Sequence, residues 1–369
     1  MRIHVVDPPA YTPPYDRALS AALARAGADV TLCSGPFSYG DVAVADGYRV
    51  DQCFGGMLRG QPGSKLRSAS RLAAELPEML RYRRTALQAD VVHFQWLPLP
   101  QIGASLLPSD RPLVITAHDV VPREPRPGQI AGLRRAYARA DAVVVHSEDG
   151  SERLQRELGV PAERCHVIPH GTFTHLAEIE NRLPLPPELA EVEGPVVLCF
   201  GLMRPYKGLD VAIEAWRGIT GAELWIVGMP RMDTAPLKSS APANVRFVER
   251  FIEDREIPAF FERAELALLP YREIDHSGVC FTALAFGTPM LLSDVGGFPE
   301  IAAAGAAELV PSGDAEALRS ALQRLLSDAP ARQRLAAGAV TAARDLYDWD
   351  RVAALHLELY SKLIGGGSR

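Results

Sequence analysis

Arg204 and Lys207 lie three residues apart in "RPYKGLD", just ahead of a helical run. A guanidinium fork and a compact ammonium at that spacing suit a pair of phosphates. Further on, "HSGVCFTALAFGTP" (276–289) sets Ser277 and Gly278 at the head of a short, nearly uncharged helix closed by Gly287 and Pro289. The first amides of a helix have no intrahelical partner. Glycine lets a ligand approach the backbone, and the helix dipole adds partial positive charge there. Together these make an anion site suited to phosphate. "SDVGGFPE" (293–300) repeats the device, with a glycine turn, a proline near the first helical position and an early glutamate. Each segment alone is equally well read as turn and cap chemistry, and the two cations as solvated surface charge. On successive strand exits they point jointly to an anionic ligand. No Walker A pattern and no G-x-G-x-x-G fingerprint is present, which weighs against an ATPase or a dehydrogenase.

The elements that must position these residues alternate along the chain. Short runs rich in Val, Leu and Ile occur at 3–6, 29–33, 90–94, 113–116 and 142–146, then at 195–200, 223–227, 245–248, 265–270 and 289–293. Such strands are buried on both faces, as in parallel sheets. Helical patterns fall between them, at 16–26, 131–140, 149–158, 209–216, 257–264 and 315–326. Strand alternating with helix predicts an α/β protein. The stretch "AEIENRLPLPPELAEVEGP" (177–195), rich in proline and acid, reads as a linker between two Rossmann-like domains. In such sheets ligands bind beyond the carboxyl ends of the strands. The strand exits carry His118 and Asp119 after 113–116, Gly201, Arg204 and Lys207 after 195–200, Gly228 after 223–227, Arg250 after 245–248, and "YREIDHSG" after 265–270.

Composition sets the bounds. A chain of 369 residues exceeds what one core usually serves. A net charge of −6 argues against a general nucleic-acid binder. The five cysteines form no C-x-x-C pair and no ligand-like cluster in sequence, which suits a reducing cytoplasm with neither disulfides nor structural zinc. The strand at 3–6 leaves no room for a signal peptide before it, and no apolar run reaches the roughly 18 residues of a membrane span. "DWD" (348–350) imitates a D-x-D metal motif but begins a helix, where aspartate caps well, so no metal is expected. The basic stretch 58–84 repeats Leu66, Leu72, Ala73, Leu76 and Leu80 at helical spacing. It reads as a surface helix packing on its own domain, or as a peripheral membrane contact that docks a lipid-linked or anionic acceptor.

The combination of "CFGLMRPYKGLDVAIEAW" (199–216), "TALAFGTPMLLSDVGGFPE" (282–300), "VVVHSE" (143–148), "HVIPHGT" (166–172) and "YDWDRVAALHLELYSKL" (347–363) resembles the retaining family 4 glycosyltransferases of GT-B fold. The resemblance implies two Rossmann-like domains facing across a cleft. The first would be 1–175 plus a returning helix at 347–364, and the second 176–346. It implies transfer of a hexose-type sugar from a nucleotide-diphosphate sugar, with no cofactor beyond that co-substrate. The acceptor would be a glycan, a lipid-linked glycan or a small natural product, and the location the cytoplasm or the inner face of its membrane. Arg204 and Lys207 would neutralise the diphosphate, helped by Gly201, Gly228 and Arg250. Ser277 and the amides of Gly278, Val279, Cys280 and Phe281 would hold phosphate and sugar. His118 would line the reaction centre, with Tyr15, Asp16, His93 and Trp96 on the acceptor side. Two family glutamates are missing. Thr282 stands where one binds the ribose, and Ile274 stands in the other place, with Glu273 and Asp275 as neighbouring substitutes. The family's N-terminal glycine pair is also replaced, near "PPYD" (13–16). Two rival readings stay open: a nucleotide-sugar 2-epimerase on the same scaffold, and a non-catalytic nucleotide-sugar-binding subunit.

Overall fold

A computed structural model describes residues 1–37, 44–56, 65–97 and 99–366. The chain divides into two compact units, Met1–Gly171 with Trp349–Arg369, and Thr172–Asp348.

The first unit carries strands β1 (Arg2–Asp7), β2 (Asp29–Ser34), β3 (Arg49–Asp51), β4 (Val91–Phe94), β5 (Leu113–Thr116), β6 (Ala142–Val145) and β7 (Cys165–Val167). Its helices are α1 (Pro13–Arg25), α2 (Lys65–Ala86), α3 (Pro100–Gly103), α4 (Gln129–Arg139) and α5 (Glu148–Leu158). The strands form one parallel sheet in the order β3-β2-β1-β4-β5-β6-β7. Val92, Phe94, Ile115, Val143 and Val145 project from one face of it into a core closed by Tyr82, Leu133 and Leu154 of the helices. The strand order reverses between β1 and β4, where doubly wound sheets open a crevice for ligands.

The second unit carries α6 (Thr174–Ala177), α7 (Pro187–Ala190), β8 (Val196–Phe200), α8 (Leu209–Trp216), β9 (Glu223–Val227), α9 (Ala235–Ser240), β10 (Val245–Val248) and α10 (Ile257–Arg263). After them come β11 (Leu266–Leu269), α11 (Gly278–Ala285), β12 (Met290–Ser293), α12 (Phe298–Ala303), β13 (Ala307–Val310), α13 (Ala315–Ser327) and α14 (Ala329–Asp345). The sheet order is β10-β9-β8-β11-β12-β13, again all parallel, with its reversal between β8 and β11. The proline-rich stretch read as a linker is laced to this unit. Leu183 donates its amide to the Arg255 carbonyl at 2.8 Å, and Arg182 pairs with Glu262.

The final helix, α15 (Trp349–Gly365), belongs to the first unit. It packs on α1, with Arg25 and Asp350 paired at 2.6 Å. The Tyr360 hydroxyl lies 2.6 Å from His93 Nδ1. A Cβ on Gly171 would sit 2.3 Å from the Trp349 indole, so only glycine passes that point.

Two expectations need correction. In α2 the leucines that were to pack inward do not: Leu76 and Leu80 are 51% and 46% exposed, while Ala74, Met79, Tyr82 and Ala86 are buried. The side chains of Leu66 and Leu72, and residues 58–64, lie outside the described residues. The inward stripe is offset because Met79 and Tyr82 pack over β1, β2 and β4. Nor do the cysteines stay scattered. The β2–β3 register puts Cys33 opposite Asp51, and Cys53 follows two residues later, so these three donors gather.

Candidate functional site

In the second unit the exits of β8 and β11 flank the reversal of strand order. Gly201 ends β8 with φ +97, and its amide donates to the Val227 carbonyl at 2.9 Å. A Cβ there would stand 3.0 Å from both Lys207 Nζ and Val279 Cγ2. Gly228 has φ +143, and a Cβ on it would meet the Gly201 carbonyl at 2.1 Å. These glycines let two strand exits and the head of α11 converge on one ammonium group. Lys207 is only 7% exposed. Its Nζ lies 3.4 Å from the Phe200 carbonyl and 5.1 Å from the centre of the Tyr271 ring. A buried ammonium gains from a carbonyl dipole and an aromatic face. Lys207, Gly201 and Tyr271 line one small cavity with Leu202, Met203 and Pro270. Arg204 is half-buried and, among the described residues, its side chain has no hydrogen-bond or ion-pair partner.

Ser277 is the N-cap residue of α11, with φ −131 and ψ 117. Its hydroxyl does not cap the helix and instead lies 3.5 Å from the Tyr271 hydroxyl. The Cys280 and Phe281 amides close onto the Ser277 carbonyl at 3.0 and 3.3 Å. The expected run of four open amides therefore shrinks to two, Gly278 and Val279, because the first turn winds tightly enough to use the others. The Cys280 and Phe281 side chains are buried, the thiol 3.5 Å from the Met290 sulfur and the phenyl edge-on to Tyr347.

The flanking carboxylates are sorted by the loop after β11. Arg272 forks onto Asp210 at 2.8 and 2.6 Å, and the Asp275 carbonyl accepts from the Gly297 amide at 3.1 Å. Gly296 passes under the Ile274 carbonyl, where a Cβ would come within 1.7 Å. Ile274 and Asp275 are buried in this lock and Glu273 is exposed. Thr282 donates its hydroxyl back to the Gly278 carbonyl at 3.0 Å, so only its oxygen lone pairs remain for a ligand. Arg250 is likewise engaged, forking onto Glu256 at 2.8 and 2.5 Å.

In the first unit His118, Tyr15 and Trp96 gather at the exits of β5, β1 and β4. His118 stacks on Trp96 at 5.1 Å and 15°, and Tyr15 stands edge-on to it at 4.7 Å. His146 Nδ1–H donates to the Ile168 carbonyl at 2.9 Å. His118 Nδ1 lies 3.3 Å from His146 Nε2. His118 Nε2 lies 3.1 Å from the Gln95 side-chain oxygen Oε1. His170 closes the far side of Tyr15 at 4.8 Å, and burial followed by the charge of His146 holds its pKa well below the ordinary value.

Two acceptor-side expectations are redirected. His93 is fully buried with both ring nitrogens engaged, one by Tyr360 and the other by Thr116 at 2.8 Å, so it pins α15 to the sheet. Asp16 is buried beside Asp7, and burial first, then the neighbouring carboxylate, drives its pKa well up. It shapes the loop before α1, whose Thr12 hydroxyl accepts from the Trp96 indole at 2.9 Å. Sequence reasoning missed Tyr271, His146, His170 and Gln95. A tyrosine two residues past a strand and histidines at two further exits were the available signals.

The family model for Glycosyl transferases group 1 matches residues 194–328, and that for Glycosyltransferase Family 4 matches residues 17–175. The D-inositol 3-phosphate glycosyltransferase of Xylanimonas cellulosilytica is 30% identical over 93% of this chain and 89% of its own. The phosphatidyl-myo-inositol mannosyltransferase of Mycobacterium leprae is 28% identical over 76% of this chain and 75% of its own. Among solved structures, sucrose-phosphate synthase from Thermosynechococcus elongatus superposes over 100% of both chains with a TM-score of 0.78 at 21% identity. Anabaena HepE in complex with UDP-glucose covers 98% of this chain and 100% of its own, with a TM-score of 0.72 at 19% identity. Likeness at these identities shows the fold, which is GT-B.

Proposed function

The chain belongs to the group 1, family 4 glycosyltransferases, and from that premise we propose that it moves a hexose-type sugar from a nucleotide-diphosphate sugar to an acceptor hydroxyl, with retention and without a metal ion. One observation carries this reading. Buried Lys207, unpartnered Arg204 and the open amides of Gly278 and Val279 are the fixed donors of positive potential at the β8/β11 reversal. A leaving diphosphate gains negative charge as the glycosidic bond breaks. Donors preorganised before the reaction stabilise that charge without reorganising. Oriented lysine, arginine and amide donors supply what a divalent cation supplies elsewhere, so the diphosphate needs no metal. Asp350, half of the D-x-D pattern, is committed to Arg25. In retention, the acceptor attacks the face the diphosphate leaves, and a phosphate oxygen accepts the acceptor's proton.

On the first unit we assign His118 to the transferred sugar, with Trp96 and Tyr15 setting the plane of its ring. Asp275, buried beside the head of α11, is the better substitute for the missing glutamate than exposed Glu273. The names of the relatives favour an inositol-phosphate or phosphatidylinositol acceptor. The exposed Leu76 and Leu80 of α2 favour access to that acceptor at a membrane surface. No helix among the described residues is long and apolar enough to cross a membrane.

The test is transfer from UDP- and GDP-hexoses to inositol phosphate, with and without a chelator. Chelation is expected to leave turnover intact. Arg204→Ala or Lys207→Ala each removes a charge-assisted hydrogen bond of about 1.5–3 kcal/mol, so a tenfold to hundredfold loss is expected, roughly. A loss in kcat beyond that in donor affinity marks stabilisation specific to the transition state. Activity abolished by the chelator and restored by manganese would sink the metal-free reading. Epimerised donor without transfer would select the rival enzyme.

A further inference from the structure

Cys33, Asp51 and Cys53 take no part in the transferase reading, yet the fold gathers them at the edge of the first sheet. One donor atom from each lies within 4.8 Å of the other two. The register fixes this: Cys33 on β2 faces Asp51 on β3 across the ladder, and the chain runs on beside β2, with the Phe54 amide donating to the Ser34 carbonyl at 3.3 Å, so that Cys53 lies two residues beyond Asp51. We propose that the two sulfurs and the Asp51 carboxylate form a binding site for a thiophilic divalent cation of the zinc type, with its fourth position open to water.

The donor chemistry selects the ion. Two sulfurs and one carboxylate are a poor set for magnesium or calcium, which take oxygen ligands, and a good one for zinc. Tetrahedral zinc with bonds of about 2.3 Å to sulfur sets its ligand atoms roughly 3.8 Å apart. Donors already inside 4.8 Å need to move little. Burial is graded in the required way. Cys33 is fully buried, Cys53 is half-buried and Asp51 is exposed, so an ion enters from solvent on the carboxylate side and is walled inside by Phe54 and Tyr82.

The backbone that presents Cys53 is held independently of any ion. The Arg81 guanidinium donates to the Cys53 carbonyl, and the Gly55 amide donates to the Glu78 carboxylate at 3.1 Å. Both tethers come from α2, so the site is preorganised by packing, as an effective ligand set must be. Binding is an exchange without oxidation. The cation takes the Cys33 and Cys53 sulfurs as thiolates, two thiol protons pass to water, and Asp51 binds through its carboxylate. The bound ion staples the three-residue edge strand β3, together with the turn after it, to β2.

The experiment uses the full chain, reduced and stripped of metal, titrated with Co²⁺ as a coloured stand-in. The expected result is one cobalt per chain, with sulfur-to-cobalt charge-transfer absorption and the visible bands of a tetrahedral site, all displaced by Zn²⁺. Cys53→Ser should abolish the charge-transfer absorption, or at least halve it. Asp51→Asn lies on the surface and spares the core. It should weaken binding by at least the roughly tenfold that loss of even an outer partner costs. Zn²⁺ should raise the Tm of the native chain and not that of Cys53→Ser. Absence of the charge-transfer band in the native chain overturns the proposal, as does Co²⁺ affinity in Asp51→Asn and Cys53→Ser that equals that of the native chain. So does a Cys33–Cys53 disulfide that forms in air at the same rate with and without Zn²⁺. None of these readouts depends on turnover, so failure of the transferase reading leaves them standing.

Discussion

Asp7 and Asp16 are two carboxyl groups buried side by side under the loop before α1. Asp7 accepts from the Tyr11 and Thr12 amides at 2.6 and 3.2 Å through one oxygen, and its other oxygen has no donor partner. One Asp16 oxygen is in the same position. Two orphaned acceptors in contact are satisfied together by one shared proton. Burial raises both pKa values, and for Asp16 the charge of Asp7 adds to it. A carboxyl raised in the folded state contributes stability that is complete below the ordinary carboxylate range and is lost as pH rises through its folded value. Asp16→Asn supplies a permanent donor to Asp7 at that place. It should raise Tm at neutral pH, by the equivalent of about 1–3 kcal/mol, and change little near pH 4. A scan of Tm against pH for both chains checks this; equal slopes would remove the shared proton. At this scale the donor-side residues were legible because their signals are local: Arg204 and Lys207 share one turn, and Ser277 and Gly278 are adjacent. Tyr271, His146, His170 and the Cys33–Asp51–Cys53 cluster were not, because parallel strand exits bring together residues that sequence keeps far apart. For Cys280, Phe281 and Asp16 the local surroundings were not legible, for a related reason. A position in a motif says nothing of which amides a tight turn consumes, or of which way a side chain points.

Helix α2 shows the same limit for an element. Its apolar period was visible, but which stripe faces inward depends on partners the sequence does not place. Ala74, Met79, Tyr82 and Ala86 won that face, leaving Leu76, Leu80 and Leu87 in solvent with Arg84 beside them. An exposed leucine row flanked by cations suits the boundary of an anionic bilayer. Replacing Leu76 and Leu80 together with serine removes apolar burial in lipid while leaving the packed face untouched. Sedimentation with phosphatidylserine vesicles should show binding of the native chain fall at least tenfold in the double variant, since each buried leucine is worth about 1.5–3 kcal/mol. Unchanged binding would strip α2 of the membrane role. The buried strands were read correctly for the reason that α2 was not. A strand covered on both faces is a continuous apolar run whichever partner covers it. The edge strands β3 and β13 escaped notice because exposed or half-exposed residues such as Arg49, Asp51 and Glu308 interrupt any such run.

At the scale of the whole molecule the chain assigns its chemistry to units that are not contiguous in sequence. Every residue proposed to hold the nucleotide diphosphate, from Gly201 to Thr282, lies within Thr172–Asp348. The helix α15 belongs to the other unit, where Val352, His356, Leu359 and Tyr360 are buried. The two ends of Thr172–Asp348 also meet: the Thr172 amide donates to the Tyr347 carbonyl at 2.9 Å, so the segment closes on itself where it would be cut. Residues 172–348 expressed alone should therefore melt cooperatively. They should bind UDP or GDP within a few-fold of the full chain, and transfer no sugar for want of His118. Calorimetric titration and a thermal melt with and without nucleotide would measure this, since a ligand bound only by the folded form raises Tm. Arg204→Ala in the same fragment should lose the shift. A fragment that melts cooperatively but binds no nucleotide, while the full chain does, would move the phosphate site away from Arg204, Lys207 and the head of α11, and the proposed mechanism with it.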